Sequence, residues 1–533
     1  MTYPNCWHLC LCWYRVGAWY RVLPVTGPSP SPRTDDIVSA DGACAPTAAV
    51  LGESTLALLN IVVPRYDRSD LRQSIVHMGV GGFHRAHLAT YVDELCAAGH
   101  QEWAIVGAGV MSFDVKMAQV LDAQDHLYTL ITRDSANGVP VADVQVIGSI
   151  TNFILATEDR QPLVDAIAAD DTQIVSLTVT EGGYPIDDQS GLYLPDSPNA
   201  GPGSAFGVIA EGLNERRRNG GAPITIMSCD NIMSNGKVAR AATLGEAARY
   251  EPELTSWIES SVSFPNSMVD RITPATADSD REWLEATHQI IDQWPVVTEP
   301  FRQWVIEDNF AGDRLPLEEL DVIVTDDVEP YEFMKLRLLN AGHSCLAYLA
   351  ALDGIETVDV AMADASIRRF LNAFLHQEAK VVLPEVAGID IDAYIASLIE
   401  RFSNAAIGDQ ISRLCLDGSA KFPKFLMPTV QAQVAANGPV ALAALALAGW
   451  CQYLGGTDDH GQPITRSADP LLDQAVAAAQ QSVERPEAFL DFDAVFTEDV
   501  RTSPTFVAAF SASLQELRSN GMRSAISAVL PTD

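Results

Sequence analysis

An α/β domain followed by an all-helical domain is the fold predicted from this sequence, on three observations. Short apolar runs that read as buried strands alternate with helical patterns as far as about residue 326. The first of these runs leads into a glycine-rich turn that opens a helix. Beyond residue 326 the strand signals thin out and helical periodicity takes over. Strands alternating with helices imply a mostly parallel sheet covered on both faces. At 533 residues the chain is also too long for one core and calls for at least two domains.

Residues 1–55 stand apart and read as a disordered extension. Cys6, Trp7, Cys10, Cys12, Trp13 and Trp19 crowd the start, and the Pro/Ser segment 28–32 follows as a linker. Arg15 and Arg21 interrupt the apolar part, and no clean small-residue cleavage site follows it, so a secretory signal is not indicated. The expectation is a dispensable segment, consistent with a start codon assigned too early. Cys6, His8, Cys10 and Cys12 offer metal-ligating atoms, but their spacing matches no usual zinc pattern.

Residues 56–325 carry the alternation expected of a Rossmann-like cofactor domain. Ser74–Met78 reads as a buried strand, Gly79-Val-Gly-Gly82 as the turn, and Phe83–Ala98 as the helix. Glycines at such a turn let backbone N–H groups approach a pyrophosphate, and the helix N-terminus favours its charge. The pattern is G-x-G-G-F-H, so His84 stands where the usual third glycine would be. Ile75, Gly79, Val80, Gly81, Gly82, Phe83, His84 and Arg85 are therefore the candidate cofactor-binding residues. Further strands are read at 103–110, 174–180 and 224–228, with a helix carrying Met117, Val120 and Leu121 after the first of them. No acidic residue stands immediately at the end of the 103–110 strand to meet a ribose 2′-hydroxyl. Asp114 fits that task and equally fits the start of the next helix. No arginine is close by to accept a 2′-phosphate, so NAD is favoured over NADP.

Residues 326–533 read as a helical substrate domain, with helices at 332–352, 360–376, 391–403, 439–454 and 467–481. The first carries Lys335, Asn340 and His343 inside an apolar run. At about 100° per residue, Lys335, Glu332, His343 and Asn340 fall near about 0°, 60°, 80° and 140°, on one side of the helix. Burial pushes a lysine toward its neutral amine, which beside a carboxamide and an imidazole suits a general base for an alcohol. A solvent-facing polar stripe fits the same pattern. The apolar stretch 440–454 is short for a membrane span and carries Gln452, so it reads as a buried helix.

The net charge of −36 argues against nucleic acid or an anionic membrane as partner. Nine scattered cysteines, with no C-x-x-C pair, indicate neither a disulfide framework nor a zinc site and fit a reducing, cytoplasmic compartment.

Seven segments, in order, carry a resemblance. They are Gly79-Val-Gly-Gly-Phe-His-Arg-Ala-His87, Thr180-Glu-Gly-Gly-Tyr184, Ser228-Cys-Asp-Asn231 with Asn235-Gly236, and Phe264-Pro-Asn-Ser-Met-Val-Asp-Arg-Ile-Thr-Pro274. Gln303-Trp-Val-Ile-Glu-Asp308, Pro330-Tyr-Glu-Phe-Met-Lys-Leu-Arg-Leu-Leu-Asn340 with His343, and Lys421-Phe-Pro-Lys-Phe425 complete them. Over roughly residues 56–520 the chain resembles the polyol-specific long-chain dehydrogenases, a family that includes mannitol 2-dehydrogenases and the fructuronate and tagaturonate reductases.

The resemblance implies an active site in the cleft between the two domains. It makes Lys335 the base that takes the hydroxyl proton as a hydride leaves for nicotinamide, and the acid in reverse. It assigns Asn231 and Asn340 to the reacting oxygen, His343 and Arg413 to substrate, and Glu332 to proton transfer through water. Each has a structural alternative: Asn231 as a helix cap, His343 as a core histidine, Arg413 paired with Asp409 or Asp417, and Glu332 neutralising Lys335 or Arg337. His84, Arg85 and His87 are expected near the cofactor phosphates and the domain seam, with no metal.

The implied function is NAD-dependent, metal-independent oxidation of a polyol, D-mannitol to D-fructose and back. Residues 331–334 and the Asp-Gly-Ser after Arg413 favour this branch over the uronate reductases, whose substrates add a carboxylate. A catalytically inactive sugar- or nucleotide-binding homologue is the third reading. A monomer or weak dimer is expected.

Overall fold

The computed structural model describes residues 48–136, 139–187 and 190–530. The expectations for residues 1–47, including the Cys6, His8, Cys10 and Cys12 set, lie outside these. The extension's expected end at residue 55 is corrected. Ala49–Val50 pairs in parallel with Ile290–Ile291, and Leu51 is buried, so described structure begins before residue 56.

A six-stranded sheet organises the N-terminal part. Its strands are β1 (Gln73–Met78), β2 (Ala104–Gly109), β3 (Ile150–Leu155), β4 (Ile174–Leu177), β5 (Ile224–Ser228) and β6 (Val262–Ser263). They lie in the order β3-β2-β1-β4-β5-β6, every neighbouring pair parallel. This is the doubly wound order of dinucleotide-binding folds, and its direction reverses between β1 and β4. Alternation along the strands builds both faces. Ile75, Ile105 and Ile174 join one core, while Val76, Val175 and Ile226 join the other.

Two antiparallel additions depart from the expected alternation. The chain between β2 and β3 carries the helix Asp114–Ala123 and then a hairpin, Tyr128–Ala136 with Val139–Ile147, extended by Val296–Thr298. Ser267–Asp270 pairs antiparallel with Gln303–Glu307, which pairs in parallel with Ile323–Thr325. The helix expected over 83–98 is broken at His87 (φ −118°, ψ −93°) into Gly82–Ala86 and Leu88–Ala98.

Ile323–Thr325 is the last named strand, and helices follow. Ala341–Leu352 and Ala441–Leu454 form the centre of the C-terminal core, both buried along nearly their whole length. The segment expected at 360–376 is two helices, Val358–Ala363 and Ala365–Ala373. They meet at Asp364, whose side chain accepts from the N–H groups of Ser366 and Ile367 and so caps the second. The helix expected at 467–481 begins only at Leu472. A helix not expected from the sequence, Pro504–Val529, packs its Phe506, Phe510 and Leu514 into the core and kinks at Gly521 (φ 80°). Among the described residues no helix is long and apolar enough to cross a membrane.

Candidate active site

A cavity of about 670 Å³ opens where the sheet order reverses, walled by Gly79, Val80 and Gly81 after β1, Asp114 beyond β2, and Thr178 to Thr180 after β4. Gly79 adopts φ +92°, and a Cβ there would lie 2.2 Å from the Thr178 carbonyl oxygen. Only glycine lets the turn pass this close to β4. Thr178 Oγ1 donates to the Gly79 carbonyl at 2.7 Å, and the buried His77 ring bonds Thr178 Oγ1 at 2.9 Å beneath it. A bare-backbone cradle at the carboxyl end of a parallel sheet fits a dinucleotide pyrophosphate.

Asp114 starts the next helix and also lies beside the cavity. Its Oδ2 accepts from the Met111 N–H at 2.9 Å, fixing the turn before the helix, and its side chain forms part of the cavity wall. It lies close over the end of β2 because Gly109 has no side chain; a Cβ there would meet the Asp114 Cβ at 2.4 Å. Burial raises its carboxyl above the usual range.

The remaining cofactor candidates stand behind this wall. Ile75 is in the sheet core. Gly82 opens the short helix, and the Phe83 ring stacks on His87. His84 stacks on His77 at 3.4 Å, with both ring nitrogens buried and unpartnered. Arg85 is fully buried and donates to the Trp294 and Gly81 carbonyls. His87 bonds the Gln303 carbonyl at 3.2 Å. His84, Arg85 and His87 are thus buried in the protein and do not line the cavity.

The lysine site draws on both parts of the chain. Lys335, 7% exposed, ends the helix Glu329–Lys335. Its Nζ donates to Asn231 Oδ1 at 2.6 Å and to the Val269 carbonyl at 2.7 Å. Burial lowers its pKa, opposed by the nearby Asp270 carboxylate. Asn231 follows β5 and does not cap the next helix, which starts at Asn235 with Ser234 as N-cap. With Oδ1 engaged by Lys335, the Asn231 amide retains its N–H groups as donors.

Leu336–Asn340 is a π-helical segment, joined directly to the α-helix Ala341–Leu352. The uniform 100° spacing expected from Lys335 onward is corrected by this wider turn, which rotates Asn340 and His343 relative to the lysine. Asn340 Oδ1 and His343 Nε2 are both buried without a protein partner. The His343 ring stacks on Phe402 at 4.0 Å, and burial pushes its pKa down to about 3, so it stays neutral.

Among the described residues Glu332 forms no ion pair with Lys335 or Arg337, although its charge favours the Lys335 ammonium. Its carboxylate accepts from the Ser234 N–H at 3.0 and 3.2 Å, and burial pushes its pKa up to about 7. Arg413 pairs with Asp409 at 2.7 and 2.5 Å, its side chain 49% exposed.

Three features escaped the sequence reading. Asp230 accepts from the N–H groups of Val179 and Thr180 and from Tyr184 Oη. It thereby holds Thr180 at φ 63°, an uncommon conformation for a β-branched residue, and links the cavity wall to the adjacent Asn231. Lys421 is half-buried near the Asp417 carboxylate, its pKa lowered by burial. Arg401 grips Asp270 and Glu299 in a buried cluster. Asp230, Asp270 and Lys421 sit inside the quoted segments, but nothing in their spacing marks them; Arg401 and Glu299 lie outside.

Among the described residues no group of three or more His, Cys, Asp and Glu is placed to hold a metal ion. The assembled set offers a buried amine with carboxamide donors, which suits proton transfer to and from an oxygen.

Known proteins resemble both parts. Residues 73–319 match the Rossmann-domain model of mannitol dehydrogenase, and residues 327–518 match its C-terminal-domain model. A structure of Pseudomonas fluorescens mannitol 2-dehydrogenase, in ternary complex with NAD and D-mannitol, is 41% identical with a TM-score of 0.82, covering 90% of this chain and 99% of that one. A D-sorbitol dehydrogenase in substrate-free form is 34% identical with a TM-score of 0.80, covering 90% and 100%. Mannitol 2-dehydrogenase of Aspergillus fumigatus is 39% identical over 477 residues, 87% of this chain and 94% of the relative.

Proposed function

Because the chain belongs to the mannitol dehydrogenase family, we propose that it oxidises D-mannitol at C2 to D-fructose with NAD as acceptor, and runs the reverse reduction. The observation that carries this reading is the Lys335 amine, buried and already donating to two acceptors. A neutral amine has two N–H donors and one lone pair. Asn231 Oδ1 and the Val269 carbonyl match the two donors, which leaves the lone pair for a substrate hydroxyl.

The hydroxyl proton passes to that lone pair, and the resulting ammonium turns its third N–H to the oxygen left behind. The amide N–H groups of Asn231 and Asn340 stabilise negative charge on that oxygen during transfer. His343, held neutral, orients a neighbouring hydroxyl. Bound nicotinamide supplies the two-electron acceptor. With the C2 hydride given up to the bound nicotinamide, Lys335 passes the hydroxyl proton by way of Glu332 and water to solvent. A void of about 10 Å³ beside Lys335, Glu332 and Asn231, room for about one water, supports this route.

Arg413 bears on the substrate. A uronate needs a free cation for its carboxylate, whereas Asp409 already neutralises Arg413, which supports a polyol hydroxyl as its partner. Asp114 in the cavity wall supports NAD over NADP, since a 2′-phosphate would face a carboxylate. The described cysteines are free and buried, in keeping with the reducing, cytoplasmic compartment proposed for the enzyme.

The test is nicotinamide absorbance with NAD and NADP against D-mannitol, D-arabinitol, D-sorbitol and D-mannonate. Turnover of mannitol with NAD is expected. Turnover of mannonate alone would move the enzyme to the uronate branch. Silence with every substrate, despite NADH binding, would leave a binding protein.

A further inference from the structure

The Arg401 side chain, from the helix Ile391–Phe402 in the C-terminal domain, reaches two carboxylates of the N-terminal domain. Its Nη1 and Nη2 donate to Asp270 at 2.8 and 2.9 Å, and its Nε and Nη2 donate to Glu299 at 2.9 and 2.8 Å. All three side chains are at most 6% exposed. The guanidinium also lies 3.9 Å from the Phe301 ring centroid. Such a doubly bidentate arrangement is the strong form of a buried ion pair and fixes geometry as well as charge.

What it fixes is next to the chemistry. Asp270 follows Val269, whose carbonyl holds Lys335 Nζ at 2.7 Å. Phe402 follows Arg401 and stacks on His343. Glu299 also accepts from the Ile272 N–H at 2.6 Å, so the strand end 269–272 is clamped on both sides of Asp270.

We propose that Arg401 is a positioning residue for the reaction: it clamps the strand end that holds Lys335, seats Phe402 against His343, and balances the carboxylate charge beside the base. This rests on the reading of Lys335 as the base. Four charged groups face Lys335: Asp270 from its strand, Arg401 from its helix, Glu332 from the lysine's own helix and Glu181 from the turn after β4. Arg401 disfavours the ammonium and the three carboxylates favour it. Removing the Arg401 charge therefore raises the proton affinity of Lys335, and removing the Asp270 charge lowers it.

The test is the pH dependence of kcat/KM for mannitol oxidation in wild type, Arg401→Met, Arg401→Gln, Arg401→Lys and Asp270→Asn, with the melting temperature of each. Activity falls on the acid side as Lys335 protonates. The midpoint of that limb is expected to rise by about half a unit or more in Arg401→Met. It should fall in Asp270→Asn and stay near wild type in Arg401→Lys, which keeps the charge but loses the fork and so loses kcat. If Arg401→Met does not fold, Arg401→Gln, neutral but still able to hydrogen-bond the carboxylates, carries the test with the same expected rise. Midpoints that stay put while activity or stability drops would reduce Arg401 to a structural strut. A wild type inactive on every polyol would remove the dehydrogenase reading together with this one, whereas an active wild type with unmoved variants would remove only this one.

Discussion

The cofactor cavity and the lysine site lie at the same edge of the sheet, one after β1 and β4 and the other after β5, yet they are made of different material. The cavity is largely backbone, with a glycine at φ +92° brought against a carbonyl of the next strand. The lysine site is side chain, with Lys335 meeting Asn231 and the strand end at Val269, and Asn340 and His343 following on the same helical run. Binding charge at a pyrophosphate needs many weak fixed dipoles, which a backbone supplies. Moving one proton needs a group whose charge changes, which only a tuned side chain supplies. Substitutions should therefore separate the two functions.

The largest separation is expected from Lys335→Ala. Loss of a general base should lower kcat by about 10²–10⁴-fold, while the Kd for NADH, read by fluorescence titration, changes little. A matching collapse of NADH affinity would show that the two sites are not separable.

Gly79→Ala should give the opposite pattern. Its Cβ meets backbone, which cannot yield, in a conformation that alanine rarely adopts. NADH affinity should fall at least about tenfold, with a stability loss on the order of 1–3 kcal/mol in a denaturant titration. The kcat at saturating NAD should hold within a few-fold. Unchanged NADH binding would mean that the turn does not carry the cofactor.

Glu332→Gln sharpens the lysine side. The folded carboxyl titrates near pH 7, raised from 4.5 by burial. The unfolded chain releases this proton first, so the contribution to stability is fully present at acid pH and is lost as pH rises through the interval to about 7. Glutamine stays neutral throughout, so the melting temperature of the variant should be flatter over that interval and higher than wild type above it. Oxidation at neutral pH should slow several-fold through the hindered proton exit. An unaltered slope of melting temperature against pH would deny that Glu332 titrates there.

The same contrast explains what was legible in the sequence. The turn at 79–82 and its flanking strand are local, and strands β1, β2, β4 and β5 stand out as apolar runs, so this half of the architecture could be read directly. Lys335, Asn340 and His343 are close in sequence, but the π-helical turn between them is set by packing and leaves no periodic trace. Arg401 reaches partners 131 and 102 residues away, so no spacing rule marks it. His84 and Arg85 are buried behind the cavity wall, with Arg85 bonding the Gly81 carbonyl of that wall, a placement that their residue types alone do not mark. The hairpin between β2 and β3 was missed because it interrupts an alternation that otherwise continues.

The smallest effect belongs to Gly182→Ala, and it tests whether backbone position or glycine content makes the cavity. Gly182 lines the same cavity as Gly79, but a Cβ there meets nothing within 4 Å and its φ is not in the left-handed range. Alanine should therefore change stability by no more than about 0.5 kcal/mol and NADH affinity by less than about threefold. If Gly182→Ala weakened NADH as much as Gly79→Ala, the cofactor would have to lie directly on the 180–183 turn. The cradle would then be shared between two turns, and the strain at Thr180 would belong to cofactor binding rather than to the seating of Asn231.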